Sequence, residues 1–121
     1  MATGPAAPQG ASPSDAPVSG VPTVLDTATL VIQGATVRIG GVAGQGGEPA
    51  QDLTRYIRGR PVACAPIDAL PGEYRCRIGE YDLAEAILLN GAARAARDAP
   101  DRLRYAEDQA RRARRGIWRG E

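Results

Sequence analysis

Among side chains able to do chemistry, histidine is missing altogether. That removes a His general base, a Ser-His-Asp or Cys-His relay and any His-ligated metal. Apart from Met1, the sulfur inventory is Cys64 and Cys76, and two thiols without histidine do not make a tetrahedral zinc site. They lie six residues on either side of Leu70, so a hairpin turning there would set them opposite one another across the ladder. We expect a disulfide, worth about 3 kcal/mol on the chain-entropy model and favouring an oxidising compartment. The alternative is two buried thiols packing as small hydrophobes. Positive charge gathers at Arg111, Arg112, Arg114 and Arg115. Its plain reading is a solvated helix end that complements the dipole, and its sharper one is a patch for phosphate or an acidic partner. Stretch 40–47 holds five Gly in eight positions. Its backbone N–H groups could cradle an anion, but it has no P-loop or dinucleotide fingerprint and reads as a flexible loop. Tyr56, Tyr74, Tyr81 and Tyr105 are expected at core edges rather than as a base-stacking platform.

The elements that must position these groups follow from pattern. Residues 1–22 contain five Ala, five Pro, three Gly and three Ser, too little apolar surface to offset the entropy of ordering them. They read as a flexible linker without the basic start and apolar run of a signal peptide. A linker at this place suggests a chain whose export signal or membrane anchor has been removed, and a periplasmic or otherwise exported protein. Residues 23–121 are then one domain with one modest core. Val24, Leu25, Leu30, Val31 and Ile32, then Val37 and Ile39, form two β-favouring runs around a turn at Gln33-Gly34-Ala35. Val37 and Ile39 share a face, and Arg38 takes the other.

A helix is predicted over 48–58, with Pro49 near its start, Leu53 and Ile57 one turn apart and Gly59 after its end. A hairpin follows over 61–65 and 73–78. Asp82 and Glu85 form a capping box that opens a helix through Asn90, stopped by Gly91. The last helix is expected from Asp98 to Arg115, with an apolar stripe of Leu103, Ala106, Ala110, Ala113 and Ile117. After Gly116, Ile117 and Trp118 can fold back on the body. Strands first, one helix between two hairpins and then two helices make an α+β chain, and five short strands curling into a small barrel suit its length of 121 residues. No apolar run approaches the ~18 residues of a membrane span. Fifteen arginines against fourteen carboxylates give a net charge of +1, so no global field draws the chain to nucleic acid or membranes.

Two segments carry a family likeness. The run Ala106-Glu107-Asp108-Gln109-Ala110-Arg111-Arg112-Ala113-Arg114-Arg115-Gly116-Ile117-Trp118 is similar to the Glu-x-x-Ala, Lys/Arg-rich helix ending in Gly-(Leu/Ile)-Trp that closes the thermonuclease-like, or staphylococcal-nuclease-type, domains. Asp82-Leu83 followed by Leu88, Gly91 and Ala92, with Cys76 upstream, resembles that family's preceding helix. The resemblance spans residues 22–119 and implies a five-stranded OB barrel with three helices. It also implies that the catalytic signatures are degraded. Active members carry Asp-Gly-Asp-Thr where this chain has Asp26-Thr27-Ala28-Thr29, so a calcium carboxylate is Ala28. The family's Arg-Leu-x-Gly-Ile-Asp-x-Pro-Glu aligns with 38–46: Arg38 is kept, the second calcium Asp is Ala43, and the general-base Glu is Gly46. Glu48 is the one nearby carboxylate that could substitute. The later phosphate-holding Arg falls at Pro71, with Arg75 and Arg77 close in sequence.

A general base is worth roughly 10²- to 10⁴-fold and one electrostatic donor roughly 10²- to 10³-fold. Without metal carboxylates, base and one Arg, no catalytic set is intact, and Asp26 and Arg38 read as remnants. Arg38 is either a retained phosphate contact or a strand Arg pairing with Asp26. The expected function is therefore a catalytically inactive binding or assembly module, needing no cofactor, with a protein as partner. Two alternatives stay open. One is a divergent calcium-dependent nuclease using Asp26, Arg38 and Glu48. The other is weak single-strand binding through Arg38, Arg75 and Arg77.

Overall fold

Apolar residues at every second position build most of the structure. A computed structural model describes residues 16–120; positions 1–15 of the expected linker lie outside the described residues. On the linker side of the expected boundary, Val18–Gly20 is already strand β1. It pairs antiparallel with β6 (Val62–Pro66), Val18 opposite Cys64. The chain continues through β2 (Thr23–Asp26), β3 (Thr29–Ile32) and β4 (Ala35–Ile39). The β3–β4 turn is Gln33-Gly34, both at positive φ, the geometry of a two-residue hairpin loop.

The first β-favouring run is not one strand. Thr27 and Ala28 turn the chain between β2 and β3 and are both buried. Asp26 Oδ1 accepts the Ala28 N–H at 2.7 Å, and Ala28 O accepts from the Ile39 N–H at 2.8 Å. Such local side-chain bonding is what lets Asp divert a backbone from a continuous ladder.

Together with β7 (Glu73–Ile78) and β8 (Tyr81–Asp82), these strands form a mixed sheet in the order β1-β6-β7-β4-β3-β2, β8 pairing with β7. The β4–β7 pair is parallel and the others are antiparallel. One face is apolar throughout: Leu30, Ile32, Val37, Ile39, Val62, Cys64, Tyr74, Cys76 and Ile78 are all buried. Cys64 and Cys76 are directly paired and joined as a disulfide, as their spacing had indicated. The 40–47 stretch is more than a loop, because Val42–Ala43 forms β5 and pairs with β9 (Arg94–Ala95) in a small second sheet.

Three α-helices complete the described residues. Helix α1 (Glu48–Ile57) buries Leu53 and Ile57 and ends at Arg58 in the left-handed region, followed by Gly59. Helix α2 (Leu83–Leu89) is capped by Asp82, whose carboxylate accepts the Glu85 N–H at 3.0 Å. Helix α3 (Asp101–Arg112) packs on α2 and buries Leu103, Ala106 and Ala110. It is shorter than the expected 98–115. Arg114 stands at φ 55, which ends the helix and leaves Ala113 exposed instead of on the buried stripe. The chain then folds back in a 3₁₀ turn, Gly116–Trp118, that buries Trp118. Gly91 and Gly116 make this return possible. Both have positive φ, and a Cβ on either would run into the other segment's backbone carbonyl.

Candidate functional site

The turn at Thr27-Ala28 and the strand after it form the first cluster. Thr27 gives its N–H to Gln45 O at 3.0 Å, and its Oγ1 accepts the Gln45 N–H at 2.8 Å. These two bonds draw the 43–46 segment onto Asp26 and Ala28. Gly44 lies so close that a Cβ there would collide with Asp26 Oδ1 and stand 2.8 Å from the Ala28 Cβ. The residues do not fit the calcium ion implied by the family likeness. Ala28 offers a buried methyl to the core, while Ala43 is exposed opposite Arg94 in the small sheet. Asp26 spends an oxygen on the backbone of its own turn. Glu48 opens α1 and lies 3.8 Å from Arg119. Gly46, which the likeness would set at the base position, is exposed. Among the described residues, no three His, Cys, Asp or Glu side chains group to hold a metal ion.

Strand register creates a second cluster. Asp26, Thr29, Arg38 and Glu73 are successive partners across β2, β3, β4 and β7, so they form one row on the outer face. Thr29 stands between Asp26 and Arg38, and two strand spacings of about 4.8 Å keep them apart. Arg38 accordingly makes no ion pair with Asp26, and none forms with its direct register neighbour Glu73 either. Along β7, Glu73, Arg75 and Arg77 share a face because they are two residues apart. The three arginines grouped in sequence analysis, Arg38, Arg75 and Arg77, are therefore on one side of the sheet, all exposed. Arg75 and Arg77 flank a shallow depression of about 250 Å³ floored by Ala63 and Ala65. Arg75 leans to Asp82 at 3.6 Å, and Arg102 of α3 donates to the same carboxylate at 3.0 Å.

The arginines at the end of α3 are all exposed and make separate contacts. Arg111 lies against the Trp118 ring, 4.9 Å from its centroid, with Arg94 at 4.6 Å. Arg112 pairs with Asp108 at 2.8 Å, and Arg115 donates to Leu89 O at 2.9 Å. Arg114 takes the left-handed position that ends the helix. Pro71 lies exposed in the turn between β6 and β7. The tyrosines divide: Tyr74 is buried and Tyr56 half-buried, whereas Tyr81 and Tyr105 are 73% and 67% exposed. The expectation that all four sit at core edges is corrected for these last two, carried by a two-residue edge strand and by the outer side of α3.

Sequence reasoning missed a further concavity. A groove of about 1110 Å³ runs between α1 and the backbone of Asn90–Ala92 and Gly116–Ile117. Half-buried Pro49, Tyr56 and Ile117 contribute apolar surface to it over buried Leu53 and Ile87, and Arg58 and Arg60 stand at the α1 C-terminus. Its only local signal was Arg58-Gly59-Arg60 after an amphipathic helix. The opposite wall comes from residues 30 to 60 positions later in the chain. Among the described residues no helix is long and apolar enough to cross a membrane. Comparison with models of protein families gave no match, and a search of curated proteins found none similar.

Proposed function

We propose that this chain is a thermonuclease-like domain of OB type that does not hydrolyse phosphodiesters and serves as a binding module for a protein partner. The observation that carries the reading is the closure of the 43–46 segment onto Asp26 and Ala28, with glycine backbone where calcium and its carboxylates would have to stand. Hydrolysis needs charge stabilisation at the phosphoryl oxygens together with an activated water. Asp26 is committed to its turn, and Glu48 faces Arg119. A curled sheet is supported by the approach of β1 to the β3–β4 turn, where Gln33 Nε2 donates to Ser19 O at 3.3 Å. The buried disulfide supports residence in an oxidising compartment.

Calcium titration followed by thermal unfolding tests the inert centre directly. Millimolar calcium is expected to leave the melting temperature unchanged, because an ion that does not bind the native state does not stabilise it. Single-stranded DNA incubated with the same calcium is expected to remain intact. Turnover that disappears in Arg38→Ala would establish the nuclease reading instead.

A second reading, single-strand binding, is favoured by the placement of Arg38, Arg75 and Arg77 on one face. Its signature is affinity falling steeply with salt and lost in the triple Arg→Ala variant. The carboxylates of Asp26, Glu73 and Asp82 share that surface, which is why the protein partner is preferred.

A further inference from the structure

Four arginines and two carboxylates line the groove beside α1: Arg55, Arg58, Arg60 and Arg119 against Glu48 and Asp52. Both carboxylates are already engaged, Asp52 by Arg55 and Glu48 by Arg119. The remaining two arginines lie together at the helix C-terminus. Arg60 donates Nε to Ile57 O at 2.9 Å and Nη2 to Tyr56 O, and its guanidinium lies 5.2 Å from the Tyr56 ring centroid. Those contacts hold the side chain in place and leave its charge unmatched. Arg58 is exposed and makes no ion pair among the described residues. The groove thus has an apolar floor and one positively charged end.

We infer that this groove docks an amphipathic helical segment of a protein partner, with apolar side chains along one stripe and carboxylates meeting Arg58 and Arg60. The inference rests on the binding-module reading and names the surface that would perform it. Its walls are a helix and a helix-to-turn return, with no strand edge to extend, so strand addition is ruled out and the helix-in-groove mode fits the shape. The ten residues of α1 give a wall about 15 Å long, room for a segment of similar length. Charge selects the occupant. Residues 1–15 of the chain itself carry one carboxylate, Asp15, and no Leu, Ile, Val or aromatic residue to fill the floor.

The test pans a phage library of random peptides against the full chain, then measures selected peptides by fluorescence anisotropy. Selected peptides are expected to carry large apolar residues three or four apart and at least one Asp or Glu. Arg58→Glu, at an exposed position, should weaken binding about tenfold or more, with only a small drop in the melt from the reversed charge at the helix C-terminus. A peptide with Lys in place of its acid should recover affinity for that variant, which general damage to the fold would not allow. Arg75→Glu should have no effect.

Failure to select acidic amphipathic peptides, or binding indifferent to Arg58→Glu, overturns the inference. Loss confined to Arg75→Glu and Arg77→Glu moves the site to the sheet and leaves the binding-module reading standing. Dimerisation abolished by Arg58→Glu assigns the groove to a second copy, and peptide binding tightened by Asp15→Lys assigns it to the chain's own N-terminus. Either result overturns it. Calcium-dependent DNA cleavage, measured separately, would remove the module reading whatever the panning returns.

Discussion

Gly44, Ala28 and Asp26 illustrate how one missing side chain can organise a site. With no Cβ at 44, the 43–46 segment lies directly on the β2–β3 turn, and Ala28 becomes part of the core at 2% exposure. Placing a carboxylate at 28 should therefore not create a calcium site. We expect Ala28→Asp to lower stability by about 3 to 5 kcal/mol, the cost of an uncompensated buried charge, with no calcium-dependent shift in the melt. Chemical denaturation with and without calcium checks both parts. Gly91 is constrained more tightly. A Cβ there would come 2.6 Å from the Arg115 carbonyl carbon, in a residue at φ 72. Gly91→Ala should cost more than about 2 kcal/mol, the left-handed penalty alone accounting for 1–2 of it, and should release the Trp118 turn, visible as a red shift in tryptophan fluorescence.

Between elements, two connections carry distinct loads. The disulfide ties β6 to β7 in the centre of the sheet. Cys64→Ala with Cys76→Ala should destabilise by about 3 kcal/mol as the unfolded chain regains its freedom, read as a lower denaturation midpoint. Asp82 joins three elements: it caps α2, receives Arg102 from α3 and lies near Arg75 of β7. Asp82→Ala should cost about 1–2 kcal/mol, mostly from the lost cap. Asp82→Asn keeps a capping oxygen and should cost less. A comparison of the two unfolding curves separates the cap from the charge.

At the scale of the whole molecule, the surface matters more than the net charge of +1. Arginines without an ion pair among the described residues include Arg38 and Arg77 of the outer sheet face and Arg58 and Arg60 at the C-terminal end of α1. Competition between these two surfaces provides a prediction at this scale. Raising salt from low to moderate should weaken an acidic peptide in the apolar groove only modestly, because burial supports part of its affinity. It should weaken single-stranded DNA on the sheet face steeply, through counterion release. Parallel titrations of both probes decide which surface is used.

Local signals in the chain were sufficient for much of this. The Gln33-Gly34 turn, the Leu53/Ile57 spacing of α1, the Asp82–Glu85 cap and the symmetric cysteines each depend on neighbours within a few residues or on one hairpin, and each was legible. The break of the first β run at Thr27-Ala28 was not, because it needs Gln45 to meet Thr27 from eighteen positions away. The shared face of Arg38, Arg75 and Arg77 depended on a parallel β4–β7 pairing that no local pattern specifies. The groove required α1 to meet the Gly91–Gly116 return. Residue types alone excluded histidine chemistry and placed the starts of α1 and α2. Apart from the one-turn helix pairs Arg55–Asp52 and Arg112–Asp108, which charges are neutralised and which are left facing solvent was decided by long-range packing. The other ion pairs depend on distance in space and not on order along the chain.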